Sequence, residues 1–219
     1  VCSFKINELL GKGLEDEAVK EIDKTIAAYG DDGYNATEPW HLQKVAILEK
    51  QNDKAGLIEE YRRLFRQHLV DKRTYFEKLK ELVAKEEWDE FVVKLFRDIP
   101  HITDDDCILV CDMIVEEKKF SCLMKILMDN VMSFSRVNLF KKYAPYMSEE
   151  DQATYTNHVI EELRMHLSYA KSKSYGYIVD DIKGMYTCCE VSKKLILDFV
   201  EEVEYNYGNR PALMRLLRS

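Results

Sequence analysis

Apolar residues recur at helical spacing in paired segments, and this pairing constrains the fold more than any other feature of the sequence. Residues 40–48 and 57–65 form one pair, and residues 75–83 and 91–96 form the next, so that pairs repeat roughly every 30–35 residues. Helix pairs that recur at this period are typical of α-solenoids, in which each pair packs on its neighbours. The pattern predicts an all-α protein, an irregular α-solenoid of antiparallel helix pairs of the tetratricopeptide or HEAT kind.

Few residues interrupt the helical pattern. The chain of 219 residues has only four prolines and eight glycines, which break or weaken helices. No stretch of five or more residues alternates apolar and polar side chains as a half-buried strand does. We therefore expect about ten to thirteen helices and almost no strand, in a single helical-repeat domain over residues 1–219. If that domain divides, the polar stretch at residues 171–174 is the expected boundary.

Capping residues place several helix boundaries. Thr37 lies two residues before a proline, and a proline in the first turn of a helix costs no hydrogen bond. Thr103 and Ser148 are each followed three residues later by an aspartate, which resembles a capping box. Pro211 begins a terminal amphipathic segment, and we expect its leucines to cover the last helix pair.

Charge and hydropathy restrict the partners. The net charge is −8, so phosphate backbones are repelled at long range and nucleic acid is an unlikely partner of this region. No apolar run reaches 18 residues, which predicts no membrane span. No secretory signal is visible, and we expect a cytoplasmic location. The sequence begins with Val rather than Met, and we expect it to be part of a longer protein.

The six cysteines fit a reduced, intracellular helical protein better than a disulfide framework, because the chain is large enough to need no covalent cross-link. They are Cys2, Cys107, Cys111, Cys122, Cys188 and Cys189. His101 with Cys107 and Cys111 could offer three metal ligands, but the spacing of a Cys-x-x-Cys zinc turn is missing and the neighbours are apolar. We therefore predict buried thiols, no metal and no cofactor.

No arrangement of residues indicates catalysis. The vicinal pair Cys188 and Cys189 falls near the expected C-terminus of a helix, where the dipole raises a thiol pKa, so we predict an inert pair. The five histidines are scattered, none in a turn that would present a nucleophile. No glycine-rich phosphate loop occurs. The sequence thus favours a protein that is not an enzyme.

A basic cluster is the candidate interaction surface: Arg62, Arg63, Arg66, Lys72 and Arg73. Arg62 and Arg66 are one helical turn apart and could form a ridge against phosphates. The preceding Glu59 and Glu60 can pair with these arginines within the helix. A solvated and partly ion-paired face is therefore the favoured interpretation.

Two segments resemble the C-terminal helical region of bacterial SWIM-type zinc-finger proteins. Tyr75-Phe76-Glu77-Lys78-Leu79-Lys80, leading to Glu87-Trp88, is similar to their YYxxLK…EW helix pair, and Arg210-Pro211-Ala212-Leu213-Met214 is similar to their RPALM tail. The resemblance covers about two thirds of the chain. Neither Cys-x-Cys nor Cys-x-His occurs, so none of that family's metal ligands is found here. The resemblance implies an interaction region of a larger bacterial protein.

These observations predict a non-enzymatic helical-repeat module or scaffold that binds a protein or peptide partner. Thirteen tyrosines add to this prediction, because tyrosine offers apolar area with a polar tip at interfaces. One alternative is a nucleic-acid-facing accessory module of a zinc-finger protein. Another is a helical enzyme without familiar motifs.

Overall fold

The protein is all-α, as its sequence predicts. The structure, a computed structural model, describes residues 2–29, 37–67, 71–100, 103–129 and 135–219. Within these ranges there are thirteen α-helices and no strand. The helices α1 to α6 are Cys2–Gly11, Glu15–Tyr29, Glu38–Gln51, Lys54–Arg66, Lys72–Leu82 and Lys85–Arg97. The helices α7 to α13 are Asp104–Glu116, Leu123–Asp129, Arg136–Tyr143, Glu149–Tyr169, Tyr175–Tyr186, Glu190–Tyr207 and Pro211–Arg218.

The contacts divide the chain into two compact units, Val1–Pro100 and His101–Ser219. Residues 171–174, the expected boundary, lie inside the second unit, where Ser172–Ser174 form a short 3-10 turn. The prediction of a single helical-repeat domain over residues 1–219 stays a prediction.

Successive helices pack on each other in the first unit. Contacts join α1 to α2, α2 to α3, α3 to α4 and α4 to α5. Phe76 of α5 then links three helices, because its ring stacks on Phe96 of α6 at 5.7 Å and lies 6.0 Å from Phe65 of α4. Aromatic pairs at these distances contribute beyond the area that they bury. The aromatic cluster therefore joins α4, α5 and α6 into one core.

Two of the three predicted N-caps form as expected. The Thr103 hydroxyl accepts a hydrogen bond from Asp106 N at 3.3 Å, and the Ser148 hydroxyl accepts one from Asp151 N at 3.1 Å. Thr37 precedes α3 but makes no side-chain cap. Its hydroxyl instead accepts a hydrogen bond from Gln67 Nε2 at 3.0 Å, so a long-range contact replaces the local one.

A buried arginine connects three helices of the second unit. The Arg136 guanidinium of α9 pairs with Glu162 of α10 at 2.9 Å and with Asp181 of α11. Beside it, the ring of Phe140 stacks on that of Tyr155 with their centroids 4.5 Å apart. The long helix α10 also contacts α8 and α12, so it lies at the centre of this unit.

The last helix packs on the second unit and is not a free tail. Leu213 and Met214 are buried, and α13 contacts α11. Arg210, just before α13, donates a hydrogen bond from Nη1 to the carbonyl oxygen of Leu167 at 3.0 Å. This contact ties the start of α13 to the final turn of α10.

Gly184 allows a close approach of α9 and α11. A Cβ atom at this position would lie 2.6 Å from Cγ1 of Val137, too near for van der Waals contact. Gly176, at the start of the same helix, has no atom within 4 Å of the corresponding Cβ position. The two glycines therefore form a matched pair, one required by packing and one exposed to open space.

We predict opposite effects on stability for alanine at these two positions. Gly184→Ala should lower the free energy of unfolding, because Val137 and the helix behind it must move. Gly176→Ala should raise it by about 0.5–1 kcal/mol, because alanine favours a helix over glycine. Urea denaturation of both variants measures the difference, and two changes of the same sign would contradict the close approach.

Candidate functional site

A groove with charged walls opens on the first unit, between side chains of α2, α3 and α4. Its volume is about 540 Å³, which falls in the range of ligand pockets. We call it the charged groove, and its lining residues are Asp23, Ile26, Ala27, Lys44, Glu59, Arg63 and Arg66. Three cationic side chains and two carboxylates line its wall.

A buried ionic network supports the charged groove from beneath. Glu60 of α4 is 1 % exposed, and its carboxylate contacts Nδ1 of the fully buried His41 and Nζ of Lys44, the latter at 3.0 Å. Lys44 Nζ also donates to Asp23 on α2 at 2.7 Å. Because a carboxylate only accepts hydrogen bonds, Nδ1 of His41 carries the proton in this arrangement. The network thus links α4 to α3 through Glu60, and α3 to α2 through the pair of Lys44 with Asp23.

The network keeps its carboxylate and its ammonium group charged. Burial disfavours the ionised carboxylate, but hydrogen bonds from His41 and Lys44 outweigh it and hold the pKa of Glu60 below its usual value. For Lys44, burial opposes the charge, and the hydrogen bonds to Asp23 and Glu60 outweigh it, so the pKa is raised. Both groups therefore remain ionised around neutral pH.

Helical spacing explains why Glu60 points inward. It lies on α4 between Leu57 and Leu64, with Tyr61 beside it, and all three of these neighbours are buried. The sequence led us to expect that Glu60 would pair with the arginines of its own helix. Glu59 does so, since its carboxylate lies 3.3 Å from Nε of Arg63, whereas Glu60 turns to α3. The apolar neighbours at spacings of three and four were the signal for its burial.

The arginines of the predicted basic cluster have different partners. Arg62 is engaged by Asp98 at 2.9 Å and by Glu59 at 3.4 Å. Arg63 is half-buried and reaches Glu59 from the wall of the charged groove. Arg66 is exposed on the same wall, and no carboxylate among the described residues lies within ion-pair distance of its guanidinium.

Lys72 does not belong to an exposed surface, contrary to our expectation from the sequence. Its side chain is fully buried, and Nζ donates hydrogen bonds to the carbonyl oxygens of Phe65, at 3.0 Å, and Gln67. An ammonium group at the C-terminal end of α4 satisfies carbonyls that the helix leaves unpaired. Arg73 lies 3.9 Å from Glu77 on its own helix. Of the five predicted residues, only Arg63 and Arg66 line the charged groove.

The cysteines of the second unit lie in two environments. Cys107, Cys111 and Cys122 are buried as reduced thiols, and a hydrogen bond with Cys107 together with burial raises the pKa of the Cys111 thiol. His101 falls outside the described residues. No group of three or more His, Cys, Asp or Glu side chains that could hold a metal ion occurs in the part of the chain that the structure describes.

Cys188 and Cys189 follow the C-terminal end of α11, as expected, and they also precede the start of α12. Cys189 is the N-cap of α12, where its Sγ accepts from Ser192 N at 3.4 Å and its own N–H donates to Ser192 Oγ at 3.1 Å. The pKa of Cys188 is raised to about 12, mainly by burial and then by the neighbouring Cys189. That the pair is inert stays a prediction, and the burial of Cys188 is a further physical reason for it.

Comparisons with known proteins identify no relative. No protein-family model, no curated protein and no solved structure matches this chain. The resemblance to the SWIM-type helical region therefore stays a prediction. Within the described ranges, no helix combines the length and the apolar character needed to cross a membrane.

We predict that removing the Glu60 carboxylate destabilises the first unit. Glu60→Ala leaves the buried His41 and the partly buried Lys44 without their shared partner, and breaking a buried pair from one side costs about 3–5 kcal/mol. The adjacent Glu59→Ala is the matched control, since Glu59 is exposed and should change stability by less than about 0.5 kcal/mol. Urea denaturation monitored by circular dichroism measures both, and equal effects would contradict the network.

We also predict a pH signature of the same carboxylate. Because the pKa of Glu60 is lower in the folded protein than its ordinary value of 4.5, its stabilising contribution is complete above that value. The contribution is lost as the pH falls below 4.5 and through the folded pKa. The difference in unfolding free energy between wild type and Glu60→Gln should therefore shrink as the pH decreases. A difference that stays constant from neutral to acidic pH would refute this assignment.

Proposed function

We propose that the protein is a non-enzymatic binding module for a protein or peptide partner, and that an acidic residue of this partner enters the charged groove. The observation that carries this proposal is the exposed guanidinium of Arg66 beside Arg63, on the wall of a groove whose base is held by buried ion pairs. Guanidinium groups recognise carboxylates through paired hydrogen bonds, and a fixed base lowers the entropic cost of binding.

The chemistry of the groove supports binding rather than catalysis. A general base or a nucleophilic amine must be able to exchange protons near neutral pH. Lys44 is held as an ammonium by two carboxylates, and Glu60 is held as a carboxylate and buried below the surface. Both groups serve the fold, which leaves the arginines as the groups available to a ligand.

Nucleic acid fits the groove less well than an acidic peptide does. Asp23 and Glu59 lie among the cations, and the net charge of the chain is −8. A phosphate backbone needs a continuous row of cations, whereas one acidic side chain needs a single guanidinium pair. The peptide is therefore the preferred partner.

The proposal includes the architecture and setting that the sequence predicts. Consecutive contacts from α1 to α5 support antiparallel helix pairs in the first unit, as in tetratricopeptide or HEAT arrays, which mostly bind other macromolecules. We also propose a cytoplasmic location in a bacterium, on the basis of the cysteine content and the SWIM-type resemblance.

The test is a selection from a random peptide library of about twelve residues, followed by titration of synthetic copies of the selected peptides. We predict enrichment of Asp and Glu. Arg63→Ala with Arg66→Ala should weaken these peptides at least about tenfold, which corresponds to about 1.4 kcal/mol. Fluorescence anisotropy with labelled peptides measures the affinities.

Lys94→Ala with Arg97→Ala provides the matched control. These two exposed cations occupy the final turn of α6 with the same three-residue spacing, and they lie outside the charged groove. Their removal changes the net charge equally, so affinity should change by less than about twofold. If the two double variants lost affinity equally, net charge alone would explain the loss, and the charged groove would be rejected as the binding site.

A further inference from the structure

A second cavity lies on the second unit, where the end of α10 meets the start of α11. Its volume is about 530 Å³. We call it the tyrosine pocket. Its lining residues include His166, Tyr169, Lys171, Lys173, Tyr177 and Ile178. Ile178 is buried, and the edge of the His166 ring faces Tyr169 with the centroids 5.8 Å apart.

The side chains of two tyrosines at the pocket are largely exposed to solvent. Tyr169 is 64 % exposed and Tyr177 is 79 % exposed, although both line the same cavity. Clustered exposed aromatic side chains mark interaction sites, because tyrosine has few rotatable bonds and offers a large apolar face. The pocket therefore presents two exposed aromatic rings to a ligand.

Two lysines add positive charge at the pocket. Lys171 and Lys173 are exposed and belong to the segment between α10 and α11. Within the described part of the chain, neither ammonium group lies within ion-pair distance of a carboxylate. A ligand with a carboxylate beside an apolar ring would pair with a lysine and pack on a tyrosine at the same time.

We propose that the tyrosine pocket binds an extended, proline-rich peptide with acidic residues between its prolines. This inference rests on the proposed function, since it names a second peptide site and its ligand chemistry. Proline-rich peptides dock in grooves lined by aromatic side chains because their polyproline II conformation is already formed before binding. The prolines pack on Tyr169 and Tyr177, and an acidic residue pairs with Lys171 or Lys173.

A single-stranded nucleic acid is the competing ligand, because aromatic rings and lysines also bind stacked bases and phosphates. The peptide is favoured for two reasons. The net charge of −8 repels a nucleic acid, charged at every nucleotide, more strongly than a peptide with one acidic residue in three, and the exposed Asp180 follows Tyr177 by three residues on α11. Two lysines suffice for one carboxylate but do not form a continuous phosphate track.

The experiment measures the affinity of the full chain for a labelled peptide of three Pro-Pro-Glu repeats, by fluorescence anisotropy. We expect a dissociation constant in the range of about 10–100 µM. Tyr169→Ala and Tyr177→Ala should each weaken binding at least about tenfold. Lys171→Ala with Lys173→Ala should weaken binding about three- to tenfold and reduce its salt dependence.

Two protein controls accompany these variants. Tyr205 of α12 is 88 % exposed and does not line the pocket, so Tyr205→Ala should bind like the wild type. Lys194, an exposed lysine of the same helix, supplies the corresponding control for charge. Because all the substituted side chains are exposed, circular dichroism and melting temperature should stay unchanged in every variant.

Probe controls decide between ligand classes. A peptide of three Gly-Gly-Glu repeats has the same charge without the proline rings, and we expect it to bind at least about tenfold more weakly. Equal binding of the two peptides would overturn the proposal, as would no binding of the Pro-Pro-Glu peptide. Tighter binding of an oligothymidylate that depends on Tyr169 and Tyr177 would assign the pocket to nucleic acid instead.

The two sites can be distinguished with the same probe. Arg63→Ala with Arg66→Ala removes both arginines of the charged groove and should leave binding of the Pro-Pro-Glu peptide unchanged. If this variant loses binding while Tyr169→Ala retains it, the tyrosine pocket is rejected and the proposed function stands. If no selected peptide and no Pro-Pro-Glu peptide binds the wild type, both proposals fail.

Discussion

The carboxylate of Glu60 is the contact on which the first unit depends. It is buried in an apolar face of α4, yet it binds the imidazole of His41 and the ammonium group of Lys44 on α3. Lys44 then extends the network to Asp23 on α2. A buried charge is tolerated only when its partners are fixed, so the network selects one arrangement of the three helices. The wall of the charged groove is built on that arrangement.

The second unit also has a buried ionic network, but its central group is a cation. Its buried cation is Arg136, and the carboxylates of Glu162 and Asp181 reach it from two other helices. An apolar core alone specifies helix packing loosely, because many apolar side chains of similar volume can exchange places. A charge that must meet its partners permits fewer alternatives. Each unit therefore combines stacked aromatic rings with a buried ionic network.

The helices could be predicted from the sequence, but the partners of the charged side chains could not. Thr103 and Ser148 act within a few residues, so their roles follow from local spacing. Glu60 and Lys72 lie at buried positions of helices, and their charge alone had suggested exposure. The spacing of Leu57 and Leu64 around Glu60 indicated burial, but His41 is 19 residues away, and no local pattern identifies it. Long-range ionic contacts depend on tertiary packing.

The hydrogen bond from Arg210 to the carbonyl oxygen of Leu167 links residues that are 43 positions apart. Leu167 lies in the final turn of α10, and Tyr169 ends that helix at the tyrosine pocket. The last turn of a helix frays when its carbonyls lack donors. The order of Tyr169 is thus coupled to the docking of α13. Removal of the segment from Arg210 onward would therefore disturb the tyrosine pocket, although that segment does not line it.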